Sequence, residues 1–251
     1  MVDIIVRAKD GHALTRECLL SIKANTPPGT YRIILVDDGS DPELGTNLTD
    51  IYVRTRYSNG AVTATNLGVA ISLCQKDSEY TLILDNDTKI PDGDQNWLKR
   101  FVAELEAGGS VTACVGATSN CVNPPQHILS VPQTYLANWE RGSAENPPVV
   151  WFVSFAVLFR KSALVALGPW DERYNPGNWE DTDYAMALRC AGYQIRVARS
   201  VYIHHRGHQT FRKDLKDLLI TNGAKFQDKW GAGRLFDMGF LGKDQFAEAL
   251  K

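Results

Sequence analysis

Short apolar runs alternate with helical patterns along the first half of the chain. The runs typical of buried strands cover residues 2–6, 32–36, 51–54, 80–84 and 111–115. Patterns typical of helices lie between them, over residues 15–24, 61–73 and 97–107. Continuous apolar strands that alternate with helices predict an α/β fold whose mainly parallel sheet is covered on both faces.

The second half is less regular. Residues 120–148 are rich in proline and predict loops, whereas residues 149–159 have the pattern of a long buried strand. Helices are predicted over 161–167, 180–190 and 215–229, and strand-like runs over 195–198 and 201–204. The tail, 242–251, is compatible with a last short helix or a frayed end.

Composition places the chain among ordinary globular proteins. Hydrophobic residues make up 44% of its 251 residues and charged residues 22%, which excludes intrinsic disorder and low-complexity repeats. Five cysteines without close pairing favour reduced thiols in a cytoplasmic protein. Because no apolar run approaches the roughly 20 residues of a membrane helix, we expect no membrane anchor.

The overall charge is nearly balanced but is unevenly distributed. A formal net charge of −2 excludes a general nucleic-acid binder that depends on a global basic field. Residues 196–234 nevertheless hold nine Lys and Arg residues against three Asp. This segment is compatible with a phosphate-bearing ligand nearby or with a solvated basic helix.

Acidic residues follow two of the predicted strands. Asp37 and Asp38 come directly after the second strand, and Asp85 and Asp87 come directly after the fourth. Ligands of open parallel sheets bind beyond these carboxyl ends, where oxygen ligands suit Mg²⁺ or Mn²⁺ and, through the ion, a diphosphate. Acids also fill turns by local hydrogen bonding, and these residues alone leave both interpretations open.

Two further polar clusters lie in the second half. Residues 178–184 place three acids at the start of a helix, more than the helix dipole needs. In residues 201–211, His204 and His205 point to opposite sides of a strand, so only one can face a site. That histidine is either a metal ligand or a hydrogen-bonded core group. The chain has no glycine-rich dinucleotide or P-loop motif, which disfavours those classes.

Taken in chain order, these segments resemble the motifs of the family-2 glycosyltransferases. The matching segments are DDGS at 37–40, the asparagine-glycine helix at 59–68, LDNDT at 84–88, LGPWDERY at 167–174, EDTDY with Arg189 and Gly192-Tyr193, and HRGHQTF at 205–211. The resemblance runs from about residue 2 to residue 230. It implies a GT-A, Rossmann-like sheet flanked by helices, with a small acceptor-side subregion and a C-terminal helix.

The resemblance also implies a domain division. A single GT-A domain is expected over 1–235, with a nucleotide-sugar-binding half at 1–110 and an acceptor and catalytic half at 111–210. A C-terminal helical extension is expected over 211–251. The first strand ends Val6-Arg7-Ala8-Lys9, where many members have a Pro-x-Tyr/Phe-Asn pattern, and this departure leaves the nucleobase platform unassigned.

Roles follow from the resemblance, position by position. Asp181 matches the catalytic base. The donor nucleotide would be bound by Asp37, Asp38, Asn59, Asn66 and Asp85, and Mn²⁺ or Mg²⁺ by Asp87, Asp85 and His205. The acceptor or the donor sugar would contact Trp179, Glu180, Asp183 and Arg206.

The resemblance therefore implies a metal-dependent, inverting glycosyltransferase that uses a nucleoside-diphosphate sugar, most simply a UDP-sugar. The acceptor stays open among a glycan, a protein and a hydroxylated nucleic-acid base. A non-catalytic nucleotide-sugar-binding module is the alternative from another class. A sugar-phosphate nucleotidyltransferase would need a glycine-rich basic loop after the first strand, which residues 6–11 do not supply. A homodimer is compatible with such a fold, and nothing in the sequence requires one.

Overall fold

A computed structural model describes residues 1–128, 147–207, 215–231 and 233. Its centre is a seven-stranded sheet in the order β3-β2-β1-β4-β7-β6-β8. The strands are β1 (Val2–Ala8), β2 (Tyr31–Asp37), β3 (Ile51–Arg54), β4 (Tyr80–Asp85), β6 (Thr112–Thr118), β7 (Ala156–Arg160) and β8 (Gln194–Tyr202). A separate ribbon pairs β5 (Thr88–Lys89) with β9 (His204–His205).

Helices connect most of these strands. They are α1 (His12–Asn25), α2 (Ala61–Leu73), α3 (Trp97–Ala107), α4 (Lys161–Leu167), α5 (Glu180–Cys190) and α6 (Leu215–Trp230), with a 3₁₀ turn at Glu172–Tyr174. The predicted alternation of strands and helices is confirmed. The loops expected over 120–148 and the tail over 242–251 lie largely or wholly outside the described residues.

The sheet is mixed, although parallel pairs predominate as predicted. β1 runs parallel to both β2 and β4, whereas β7 runs antiparallel to its neighbours β4 and β6. The predicted strand over 149–159 is shorter in the structure and starts at residue 156. The reason is that the Gln126 side chain binds both the N–H and the carbonyl of Val153, which takes that backbone out of the ladder.

Helices cover both faces of the sheet. Along β1, Ile4 and Val6 belong to the core cluster that includes α1 and α3, while Ile5 belongs to the cluster that includes α2, α4 and α5. This alternation is what a strand buried on both faces requires. Phe226 of α6 is fully buried in the second cluster. The helix that opens the expected C-terminal extension is therefore part of the domain core.

A buried ion pair anchors the sheet at the amino end of β1. Asp3 is fully buried, and one of its carboxylate oxygens accepts hydrogen bonds from Lys161 Nζ at 2.7 Å and from the hydroxyls of Ser72 and Ser78. Arg32 binds the other oxygen at 2.9 Å. The network joins β1, β2, α2 and α4 at the edge opposite the acidic strand ends.

We predict that Lys161→Met lowers the free energy of unfolding by about 3 kcal/mol, because it leaves the Asp3 carboxylate buried with fewer partners. The measurement is urea denaturation. A second change, Asp3→Asn in the Lys161→Met background, should recover part of the loss, because the two residues interact directly. An unchanged urea midpoint for Lys161→Met would contradict the prediction.

Candidate active site

Three metal-ligating side chains converge where β4 ends. The chain turns sharply between Asp85 and Thr88, and Thr88 pairs with His205 in the β5–β9 ribbon. This pairing brings His205 Nε2 to 3.2 Å from Asp87 and to 4.0 Å from Asp85. One ligand atom from each of the three residues lies within 4.8 Å of the other two.

The surroundings of His205 fix its orientation. Its Nδ1 lies 2.8 Å from the carbonyl oxygen of Cys121, which can only accept, so Nδ1–H is the donor and Nε2 faces the carboxylates. The ring stacks on Phe155 with 5.0 Å between centroids. Burial lowers the pKa of His205, but the hydrogen bond with Asp87 and the nearby negative charges raise it by more. A cation that binds here displaces that proton.

The donor set fits a divalent cation. Two carboxylates and an imidazole oriented by a backbone carbonyl are a ligand set used for ions such as Mn²⁺. Of the two adjacent histidines, His204 is exposed on the other side of the ribbon. The sequence-based expectation that only one histidine faces the site is confirmed.

Arg7 is a site residue that the sequence interpretation missed. It lies opposite Asp85 in the β1–β4 pairing, is 7% exposed and forms an ion pair with that carboxylate. It also donates to Thr65 Oγ1 at 2.9 Å and to the Ser154 carbonyl at 3.0 Å. Burial and the neighbouring Asp87 raise the pKa of Asp85, and the charge of Arg7 opposes them. The available signal was an arginine at the carboxyl end of a fully buried strand.

The acid pair at the start of α5 is electrostatically strained. Burial, and then the charge of Asp181, raise the pKa of Glu180 to about 8. Burial raises the pKa of Asp181 to about 6, against hydrogen bonds from the backbone of Thr182 and Ser154. The positive charge of Arg7 lowers both values. Glu180 Oε2 is buried and has no hydrogen-bond partner among the described residues.

The acids after β2 organise loops. Asp37 is fully buried and accepts from the backbone N–H groups of Ser40 and Leu44 and from the Tyr52 hydroxyl. Burial alone would raise the pKa of Asp37, but these hydrogen bonds outweigh it and keep the pKa below its usual range. This is the turn interpretation that the sequence left open.

Asp38 holds the loop after β3. Its two oxygens accept from the hydroxyls of Thr55 and Ser58 and from the backbone N–H groups of Asn59 and Gly60. The four acceptor positions of the carboxylate are therefore occupied, and the nucleobase contact expected for Asp38 stays a prediction. The side chain of Asn59 bonds the carbonyl of its own loop residue Tyr57.

Other predicted site residues take part in helix packing. Asn66 bonds both the backbone N–H and the carbonyl of Trp170. Asp183 is buried against Lys229 and Trp230 of α6, at 2.8 and 2.7 Å. The Trp179 indole donates to the carbonyl of Leu219, also on α6, and Arg206 forms an ion pair with Glu17 on α1. Their expected donor or acceptor contacts stay predictions.

The sequence model of Glycosyl transferase family 2 matches residues 3–168. The chain belongs to this family. No curated protein sequence matches it. In the described ranges, none of the helices combines the length and the apolar character needed to cross a membrane.

Solved glycosyltransferases share the fold. S. aureus TarS 1-349 aligns with 16% identity and a TM-score of 0.55, over 90% of this chain and 65% of that one. The mannosyltransferase PcManGT from Pyrobaculum calidifontis, in complex with GDP-Man and Mn²⁺, aligns with 19% identity and a TM-score of 0.60, over 89% and 63%. GalNAc-T7 with UDP, GalNAc and Mn²⁺ aligns with 13% identity and a TM-score of 0.64, over 93% of this chain and 50% of that one. The family member described here therefore has a GT-A fold and spans between half and about two thirds of these chains.

We predict that His205→Ala weakens Mn²⁺ binding by at least about tenfold, since changes that only disturb the support of a ligand already cost 10–100-fold. Isothermal titration calorimetry of the protein alone measures this. His204→Ala is the matched control and should bind Mn²⁺ like the wild type. Equal affinities for all three proteins would rule out the proposed ligand set.

The raised pKa of Asp181 implies that the free energy of unfolding depends on pH. Below about pH 4 the carboxyl is protonated in both the folded and the unfolded chain, and the folded state loses stability as the pH rises through about 6. Asp181→Asn should therefore increase the free energy of unfolding at pH 8 and change it little at pH 4, with EDTA present throughout.

The check is urea denaturation of both proteins across this pH range. Asp92→Asn, at a side chain that is 81% exposed, is the control and should have little effect at any pH. A stability difference between Asp181→Asn and the wild type that does not grow with pH would contradict the prediction.

Proposed function

We propose that this family member transfers a sugar from a nucleoside-diphosphate donor to a hydroxyl group, with inversion at the anomeric carbon. One observation carries the proposal. Arg7 links the ligand set of Asp85, Asp87 and His205 to Asp181, because it pairs with Asp85 and its charge also lowers the pKa of Asp181. Structures with this fold that contain UDP-GlcNAc, or GDP-Man with Mn²⁺, support a nucleotide-sugar donor.

The ligand set would hold Mn²⁺ or Mg²⁺ beside the donor diphosphate. When bound, such an ion supplies the positive charge that stabilises the diphosphate as it leaves. Arg7 holds Asp85 in place and opposes the rise in its pKa, and the Cys121 carbonyl keeps His205 Nε2 directed at the site. The loop held by Asp38 borders the edge where the nucleotide is expected, and we infer that the donor is a UDP-sugar.

Asp181 acts as the general base in this proposal. As the acceptor oxygen attacks the anomeric carbon, its proton passes to the Asp181 carboxylate and the bond from that carbon to the diphosphate oxygen breaks. A single displacement of this kind inverts the anomeric configuration. Since the pKa of Asp181 is about 6, the base is ionised at neutral pH. Burial and the charge of Asp181 raise the pKa of Glu180, which favours its protonated form, and in that form Glu180 can donate a hydrogen bond to a sugar hydroxyl.

The acceptor is a glycan or a protein in our proposal. The hypothesis of a nucleic-acid acceptor depended on the basic segment 196–234. In the structure, three basic side chains of this segment bind other residues of the protein. Arg206 pairs with Glu17, Lys225 donates to the Arg173 carbonyl, and Lys229 pairs with Asp171 and Asp183. These contacts favour the interpretation of this segment as part of the packed structure.

The test is release of nucleoside diphosphate from a panel of nucleotide sugars with Mn²⁺, alone and with glycan, peptide or hydroxymethylated DNA acceptors. We expect one acceptor class to stimulate release and EDTA to abolish it. Asp181→Asn should lower turnover by about 10²–10⁴-fold, the usual contribution of a general base. Asp87→Ala should lower both turnover and Mn²⁺ affinity.

Asp77→Asn is the control, since this half-exposed acid lies at the opposite edge and pairs with Arg32. It should retain wild-type turnover. If Asp181→Asn turns over at the wild-type rate, Asp181 is not the general base. Binding of nucleotide sugar without any turnover would favour the non-catalytic module.

A further inference from the structure

The segment that leads into α5 has an unusual backbone. Asn178 and Trp179 are consecutive non-glycine residues with φ angles of 70° and 73°, in the left-handed region that side chains disfavour. Such conformations persist only where the surroundings impose them, and they cluster at functional sites. Glu180 and Asp181 follow directly. The strained residues therefore set where the acid pair lies.

Asn222 of α6 holds this segment from one side. The side chain is 1% exposed, and its Nδ2 lies 2.9 Å from the carbonyl oxygens of Tyr174 and Gly177 and 3.0 Å from that of Asn178. Its Oδ1 accepts from Lys225 Nζ at 2.8 Å, which fixes the amide orientation. One buried amide thus binds three backbone carbonyls within five residues of the chain.

Neighbouring residues of α6 bind the side chain of Trp179. The indole N–H donates to the Leu219 carbonyl at 3.0 Å, and its ring lies 5.3 Å from the ring of Phe226. Gly223 lies beneath the indole, and a Cβ there would come within 3.1 Å of it. The side chain and backbone of the strained residues are therefore both fixed by α6.

The start of α2 holds the same segment from the other side. Asn175 Oδ1 accepts from the backbone N–H of Val62 at 3.2 Å, and the Ala61 N–H donates to the Pro176 carbonyl at 2.9 Å. Asn175 Nδ2 donates to the hydroxyl of Thr63. Without the contacts from α6, the segment would stay attached to α2 but could relax its left-handed conformation.

We propose that Asn222 is a positioning residue for the reaction, which acts through the backbone of residues 174–178 to set the location of Asp181. The inference rests on the proposed function of Asp181 as the base. The hydrogen-bond partners of Asn222 include none of the residues proposed to bind the donor or the metal, so its removal should displace the base and leave the donor side unchanged. A displacement of 1 Å costs about 10²-fold in rate.

The experiment compares Asn222→Ala with Asn25→Ala. Asn25 is also a buried helical asparagine, 2% exposed, whose amide bonds the Ser21 carbonyl and the Gly93 N–H far from α5. We expect Asn222→Ala to lower kcat by about 10–100-fold while the Kd for UDP with Mn²⁺ changes less than about twofold. Asn25→Ala should lower the melting temperature similarly and keep wild-type kcat below that temperature.

Two further measurements separate positioning from loss of folding. Hydrogen–deuterium exchange of Asn222→Ala should accelerate at residues 177–181 and stay unchanged in β1 and β4. Gly223→Ala retains the amide but pushes on the Trp179 indole, and it should lower kcat with UDP binding intact. If Asn222→Ala keeps wild-type kcat, or if Asn25→Ala lowers kcat equally, Asn222 has only a structural role.

The outcomes also separate this proposal from the proposed function. If Asp181→Asn abolishes turnover and Asn222→Ala retains it, only the positioning role is overturned. If Asp181→Asn retains turnover, the assignment of Asp181 as the base is overturned. Faster exchange at residues 177–181 in Asn222→Ala would still show that α6 holds the segment, because that readout does not depend on activity.

Discussion

The site depends on one electrostatic constraint, the placement of several carboxylates around the buried guanidinium of Arg7. The side chain pairs directly with Asp85, and its charge lowers the pKa of Glu180 and Asp181, which burial raises. Carboxylates that share a desolvated region repel one another and favour protonation. Arg7 offsets part of this repulsion, because the β1–β4 register fixes it beside Asp85. The same crowding brings together the proposed cation ligands and the proposed base Asp181, whose pKa is raised by burial to about 6.

Two connections of long sequence separation complete the arrangement. The β5–β9 ribbon brings His205 to the turn that follows β4, more than a hundred residues earlier in the chain. α6 then packs on α5, where Lys229 and Trp230 bind Asp183, and on the segment before it, where Asn222 binds the backbone. The first half of the chain therefore supplies the two proposed oxygen ligands at the carboxyl end of β4, and α6 binds the segment that precedes the acid pair.

Much of the fold was predictable, because its strands are buried on both faces and its helices alternate with them. The positions of Asp85, Asp87 and His205 were predictable through motif resemblance, and the structure brings their side chains together. Asp183 and Trp179 were not predictable in the same way. Their motif positions suggest sugar contacts, but their partners are α6 side chains and carbonyls, and such tertiary contacts leave no local pattern. Arg7 and Asn222 were missed for the same reason, since their partners are distant backbone and side-chain atoms.

The docking of α6 also bears on the order in which the chain acquires its parts. β1, β2 and β4 neighbour one another in the sheet and lie within the first 85 residues, so their contacts can form while the protein is still being synthesised. The imidazole of His205 and the amide of Asn222 emerge from the ribosome much later. A nascent chain can thus pair these three strands long before α6 holds the strained segment in place. The proposed ligand set and the proposed base therefore come together only after the second half of the chain has folded.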